Sequence, residues 1–193
     1  MFLYEKGNKL YINLTNRCTN RCIFCIRDDV DNKEFGNLWI EREPEAHEII
    51  KLIDTSKDYE ETVFCGFGEP LVRLPEVIEI SKHLKELNHK VRINTNGQAN
   101  LIWKKSVARD FSGIIDAISI SLNAASKEQY QKLCKCKYGM DAYDSIIEFA
   151  KECTIYVPKV IMSVVDIISK DEIKKCASIA KEIGAEFRVR HFS

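Results

Sequence analysis

Three cysteines, Cys18, Cys22 and Cys25, fall within eight residues directly after a strand-like run. The spacing is C-x3-C-x2-C, and it limits what this part of the chain can be. Thiolates at this density on one short loop select soft metals: zinc, Cu(I) or iron–sulfur clusters. A structural zinc site takes four ligands, usually as two pairs. This loop offers three, with no Cys or His within a few residues to complete the set. A cubane cluster held by three cysteines leaves one iron without a protein ligand, open to a small molecule. The chain holds eight cysteines in all. The opening Met1-Phe2-Leu3-Tyr4-Glu5-Lys6 turns charged too soon for an export signal, so a secreted disulfide framework is not expected. No apolar run approaches the ~20 residues that span a bilayer. The expectation is a cytoplasmic protein with no membrane partner. Lys and Arg balance Asp and Glu at 29 each, which removes the electrostatic case for general nucleic-acid binding.

The 193 residues read as one domain, 1–193, with no repeat, low-complexity tract or linker. Short β-like runs alternate with amphipathic helical runs. The strand candidates are Leu10 to Thr15, Thr62 to Cys65, Val91 to Thr95, Ala117 to Leu122, a stretch within Tyr156 to Val165, and Glu186 to Arg190. Between them Ala46, Ile49, Ile50 and Ile53 form one apolar stripe after Pro44, read as a first helical residue. Val77, Ile80, Leu84 and Leu87 form another, with Asn88 as its left-handed terminus. Ser126 to Gln129 and Ser169 to Glu172 read as capping boxes, and Gly184 as a helix stop. Strands separated by helices imply parallel crossover units. The fold class is α/β, either an open doubly wound sheet or a partial barrel. In both, active groups belong at the C-terminal ends of the strands.

The unusual residues sit at those ends. The cysteine loop follows strand one, and Gly66-Phe67-Gly68-Glu69-Pro70 follows strand two. Asn94 and Thr95 close strand three; Ser121 and Asn123 close strand four; Arg190 and His191 follow strand six. Ser119, Ser121 and Asn123 alternate onto one face, and an inward polar row is costly unless it binds something.

The Cys18–Cys25 loop, with an aromatic residue before its third cysteine, resembles the radical S-adenosylmethionine (SAM) superfamily, and the resemblance extends over nearly the whole chain. It implies a partial, six-unit parallel β/α barrel. It also implies a [4Fe-4S] cluster on Cys18, Cys22 and Cys25, whose open iron is chelated by SAM. The implied activity is reductive cleavage of SAM to a 5′-deoxyadenosyl radical that abstracts hydrogen from a substrate. Gly66-Phe67-Gly68-Glu69-Pro70 matches the family's Gly-Gly-Glu-Pro segment with Phe67 inserted. By resemblance, Gly66, Phe67, Gly68 and Glu69 contact SAM at its amino group, and Phe24 stacks on the adenine side. Asn94, Thr95, Ser121 and Asn123 stand where the family contacts ribose and methionine, and Arg190 and His191 are further candidates. The opening from Gly7 to Asn20, Ser119 to Ala124 and Phe187 to Arg190 also resemble small radical SAM proteins associated with TatD-type hydrolases.

Cys134 and Cys136 are too few for a second cluster, and Cys153 and Cys176 read as small hydrophobes on helix faces. Cys65 adjoins the SAM loop and reads as a buried strand residue. The chain reads as a bare core, so the expectation is that the barrel mouth is closed by substrate or partner, with a protein, peptide or nucleic acid favoured over a small metabolite. An electron donor such as flavodoxin or ferredoxin is implied, with a TatD-type hydrolase as a functional link. The competing reading is a non-catalytic iron–sulfur or SAM-binding sensor or electron-transfer module, which would normally close its cluster with a fourth thiolate.

Overall fold

The computed structural model describes residues 1–28 and 38–192. One seven-stranded sheet runs through it in simple sequence order. Strand β1 (Leu3–Lys6) turns at Gly7, φ 59°, and pairs antiparallel with β2 (Lys9–Ile12). The remaining strands are parallel: β3 (Glu61–Phe64), β4 (Val91–Thr95), β5 (Ala117–Ser121), β6 (Lys159–Val165) and β7 (Glu186–Arg190).

This order decides between the two architectures that the sequence left open. A doubly wound sheet reverses its strand order at a switch point. Here the order never reverses, which is the barrel arrangement. Among the described residues no pairing joins β1 to β7, so the sheet is a partial barrel with an open side. Six strands were expected and seven form, because Leu3–Lys6 folds back as a hairpin on the first predicted strand. That predicted strand also ends early, at Ile12. Asn13 leaves the ladder, sending its backbone N–H to the Phe2 carbonyl and its side-chain amide to that of Leu38.

Side-chain alternation gives the sheet two unlike faces. The outer face carries Ile12, Phe64, Ile93, Ile118, Ile120 and Met162, all fully buried. Helices α1 (Ala46–Leu52), α2 (Leu74–Glu86), α3 (Ala99–Trp103), α4 (Lys127–Cys134), α5 (Asp141–Tyr156) and α6 (Lys170–Ile183) follow the strands in turn. Their buried stripes complete the core with the outer face: Ile49 on α1, Val77, Ile80 and Leu84 on α2, Phe149 on α5. The inner face is mixed, with Arg92, Asn94, Ser119, Ser121 and Ser163 among Val63, Ala117 and Ile161, while the larger apolar core lies outside the barrel wall.

Local signals held with small adjustments. Asn88 has φ 61° and Gly184 φ 85°, as their helix ends require. Pro44 lies before the helix, which begins at Ala46 with Glu45 as its cap. Ser126 accepts a hydrogen bond from the Gln129 N–H, whereas Ser169 and Glu172 form the reciprocal box. Ser169→Ala is expected to lower stability by about 1 kcal/mol in urea unfolding, the usual cost of losing a cap, while leaving iron content unchanged.

Candidate functional site

At the C-terminal ends of the strands a cavity of about 270 Å³ opens inside the bowl. Cys18, Cys22 and Cys25 line it, as do Phe24 and the Gly66–Glu69 loop. Asn94, Thr95, Ser121, Asn123 and Arg190 complete the contact with the residues expected at strand ends. The structure therefore gathers in one place segments as far apart as Cys18 and Arg190, 172 positions in the chain.

The cysteine loop is held from two sides. Beneath it lies Gly68: a Cβ there would sit 2.2 Å from the Thr15 carbonyl oxygen and 2.7 Å from that of Arg17. Gly66 is equally pressed, with the Asn13 Oδ1 at 2.0 Å from such a Cβ. At Gly68 the obstacle is backbone and excludes any side chain, at Gly66 it is the buried Asn13 side chain, and Phe67 between them meets Trp39 edge to face at 5.5 Å. Inserting Phe67 into the glycine segment thus leaves both close approaches intact. From the other side the end of α4 clamps the loop. The Arg21 and Ile23 N–H groups donate to the carbonyls of Cys134 and Leu133, and Lys137 donates to that of Thr19.

Glu69 ties the loops together. Its backbone N–H donates to the Arg17 carbonyl at 2.8 Å. Its carboxylate, 3% exposed, accepts from Leu71 N–H at 3.0 Å, Thr95 Oγ1 at 2.7 Å and Asn96 N–H at 2.6 Å. The side chain is therefore engaged in fixing the loop, and Thr95 serves the same purpose. Asn96 extends the link, donating from Nδ2 to Thr19 Oγ1 at 2.8 Å. A buried polar network continues behind the cysteines, where Asn20 Nδ2 and Gln98 Nε2 both donate to the Tyr130 hydroxyl.

Cys18 and Cys22 hold their protons more tightly than a free thiol while no metal holds them. Burial, reinforced by the Glu69 charge, pushes Cys18 up to about 12. The thiol of Cys134, in contact with Cys22, raises that residue too, with burial adding to it. Among the described residues no three His, Cys, Asp or Glu side chains converge enough to hold a single metal ion. The cysteines line a wider cavity instead, as a cubane with each thiolate on its own iron requires. A second observation also fits a bound ligand. Asn94 Oδ1 is buried in the wall of this cavity with no hydrogen-bond partner among the described residues. A buried acceptor left unpaired is costly unless a ligand donates to it. The three-thiolate set and this orphaned oxygen thus fit a [4Fe-4S] cluster and SAM.

The remaining candidates divide. Asn123 adopts φ 59°, which turns its amide between two protein groups: Oδ1 accepts from Arg190 Nη2 at 3.2 Å and Nδ2 donates to Cys134 Sγ at 3.5 Å. Arg190 also reaches Ser121 Oγ at 3.3 Å. His191 does not join the cavity. Alternation carries it outside the bowl, 91% exposed, where its ring lies 2.7 Å from Asp166. Cys65 falls one residue beyond β3 and is half-buried in the cavity wall, not enclosed within the strand. Cys153 and Cys176 are fully buried, as expected of small hydrophobes. Sequence reasoning missed Asn20, Asn96, Gln98, Tyr130 and the contact of Cys134 with Cys22. Their partners lie as many as 112 residues away, so no local spacing reveals them.

The radical SAM superfamily model matches residues 12–180. The chain belongs to the radical SAM superfamily. Members of this superfamily use a [4Fe-4S] cluster and SAM. A probable GTP 3′,8-cyclase of Thermococcus kodakarensis is 27% identical over 191 residues, covering 94% of this chain and 57% of the relative. The chain therefore spans little more than half the length of that relative. Among solved structures, Streptococcus suis SuiB bound to its precursor peptide SuiA matches with a TM-score of 0.73 at 19% identity. That match covers 99% of this chain and 40% of SuiB. SuiB bound to S-adenosylmethionine matches with a TM-score of 0.72 at 18% identity, covering 97% and 41% respectively. At these identities the two structures establish the shared fold. No helix among the described residues is long and apolar enough to cross a membrane.

Burial raises the Glu69 carboxyl from its ordinary 4.5 to about 7, against the pull of its Asn96, Thr95 and Leu71 donors. The folded chain thus binds this proton more tightly than the unfolded chain. The associated stability is complete below 4.5 and is lost as pH rises through 7. Between about pH 5 and 8 the wild type should lose about 2–3 kcal/mol from this residue. Urea unfolding of wild type and Glu69→Gln should show a shallower pH dependence in the variant; equal slopes would contradict the assignment.

Proposed function

We propose that this chain is a radical SAM enzyme: it holds a [4Fe-4S] cluster on Cys18, Cys22 and Cys25 and binds SAM beside it. The observation that carries this reading is one shared cavity, lined by three cysteines, the Gly66–Glu69 loop and the unpaired Asn94 oxygen. When bound, the cluster and SAM supply one-electron cleavage of the cofactor to a 5′-deoxyadenosyl radical that takes hydrogen from a substrate. The chain's own residues set the stage for that chemistry. Gly66 and Gly68 let the loop lie flat against the cysteine segment, and Glu69 locks it there. Asn94 offers its free acceptor, and Arg190, Ser121 and Asn123 present a pre-formed polar group at the rim. Phe24 packs against the core beside the cysteines and screens the site from water.

An electron donor such as flavodoxin or ferredoxin belongs to this reading, since the cluster must be reduced from outside. The resemblance to TatD-associated radical SAM proteins supports a functional link to a TatD-type hydrolase. The alternative of a non-catalytic sensor or electron-transfer module shares the cysteine loop but needs no substrate bowl. The substrate class that belongs to this reading is a protein, peptide or nucleic-acid segment that covers the open side of the barrel.

Anaerobic reconstitution followed by dithionite and SAM tests the reading. The expected result is about four iron per chain and release of 5′-deoxyadenosine. Cys22→Ala should lose the cluster absorbance and bring 5′-deoxyadenosine to background. Full iron loading with no cofactor cleavage would support the sensor reading, and full activity in Cys22→Ala would remove the ligand assignment.

A further inference from the structure

Cys134, the last residue of α4, shares a hydrogen bond with Cys22 through its thiol. The backbone fixes that meeting. Arg21 N–H donates to the Cys134 carbonyl at 2.9 Å and Ile23 N–H to the Leu133 carbonyl at 3.0 Å, so Cys22 is held between two bonds to the helix end. Cys134 is fully buried and lies outside the lining of the cysteine cavity. It stands behind one of the three loop cysteines rather than among them.

The directions of the surrounding hydrogen bonds follow from groups that can only donate. A guanidinium has no acceptor, so Arg190 Nη2, 3.2 Å from Asn123, meets the amide oxygen. The Asn123 NH2 is thereby turned to Cys134 Sγ at 3.5 Å, where it donates. Tyr130 receives Asn20 Nδ2 at 3.0 Å and Gln98 Nε2 at 2.8 Å on its hydroxyl oxygen. With both lone pairs taken, its own proton is directed to Cys134, with which it also bonds. The Cys134 sulfur therefore accepts twice, and its single S–H is left for Cys22. Asn123, Tyr130 and Cys134 are 4% exposed or less, so the relay is enclosed along its length. A cysteine bound to iron is a thiolate with no proton to give. In the loaded protein the proton in the Cys22–Cys134 contact is the one that Cys134 carries.

We propose that Cys134 is a positioning residue that acts on the cluster through Cys22: its S–H donates to the iron-bound sulfur and raises the potential at which the cluster accepts an electron. A hydrogen bond to a ligand sulfur draws electron density from it and stabilises the extra negative charge of the reduced cluster. Asn123 and Tyr130 polarise the donor and strengthen it. This inference rests on the proposed function for the cluster on Cys22, and adds how the fold sets the ease of its reduction.

The test is a redox titration of the anaerobically reconstituted full chain without SAM, following the electron paramagnetic resonance signal of the reduced cluster. At the wild-type midpoint, Cys134→Ala should lower the ratio of reduced to oxidised cluster about threefold, a shift of about 28 mV for one electron. Cys134→Val, which refills the space without a donor, should do the same. Cys134→Ser keeps a donor and should recover part of the shift. Cys153→Ala, which removes a buried thiol of α5 outside the relay, should titrate like the wild type. Iron content and urea midpoint are measured for each variant, since a packing role alone would move the urea midpoint and leave the potential in place. Equal potentials in wild type, Cys134→Ala and Cys134→Val would overturn the donor assignment, as would a Cys134→Ser variant displaced as far as Cys134→Ala. Failure of Cys134→Ala and Cys134→Val to hold the cluster would make Cys134 a ligand and overturn it too. A wild type that takes up no four-iron cluster would sink the proposed function and this inference with it. A cluster that cleaves SAM, at a potential indifferent to Cys134, would sink this inference alone.

Discussion

The buried carboxylate of Glu69 is the constraint on which the arrangement of the site depends. It joins the loop after β3 to the end of β4 through Thr95 and Asn96, while its backbone N–H holds the Arg17 carbonyl. Three segments distant in sequence are thereby locked around one buried group. Such an anchor is expensive, since a carboxylate removed from water favours its neutral form. Three hydrogen-bond donors offset part of that cost. The close approach of Gly66 and Gly68 follows from the same requirement: the loop must lie directly on the backbone of the cysteine segment for Glu69 to reach its partners.

The barrel wall divides labour between its faces. Outward alternation delivers aliphatic side chains to the helices, and the core so formed supplies the stability. Inward alternation delivers Asn94, Ser119, Ser163, Arg92 and Arg188, none of which strengthens the core. A buried polar group on the inner face, such as the Asn94 oxygen, is retained where a ligand compensates it. The cavity at the strand ends offers three cysteines and an unpaired amide oxygen.

Much of this was legible in the chain because the signals are local. The C-x3-C-x2-C loop, the Gly66–Pro70 segment and the polar strand ends each occupy a few consecutive residues, and the strand–helix alternation places them at one rim. Hairpin β1 escaped notice because Leu3-Tyr4-Glu5-Lys6 is short and half charged, and its pairing depends on the turn at Gly7. His191 was misplaced because one further residue of alternation, together with Asp166, takes it to the other side of the sheet. The clamp of α4 on the cysteine loop was invisible because Cys134 and Cys22 are 112 positions apart in the chain.

Mössbauer spectroscopy of the reconstituted, iron-57-labelled chain before and after SAM addition tests the central claim most directly. The account predicts that one iron in four is distinct from the other three and that its signal alone shifts when SAM is added. Four equivalent thiolate-bound irons that ignore SAM would contradict it.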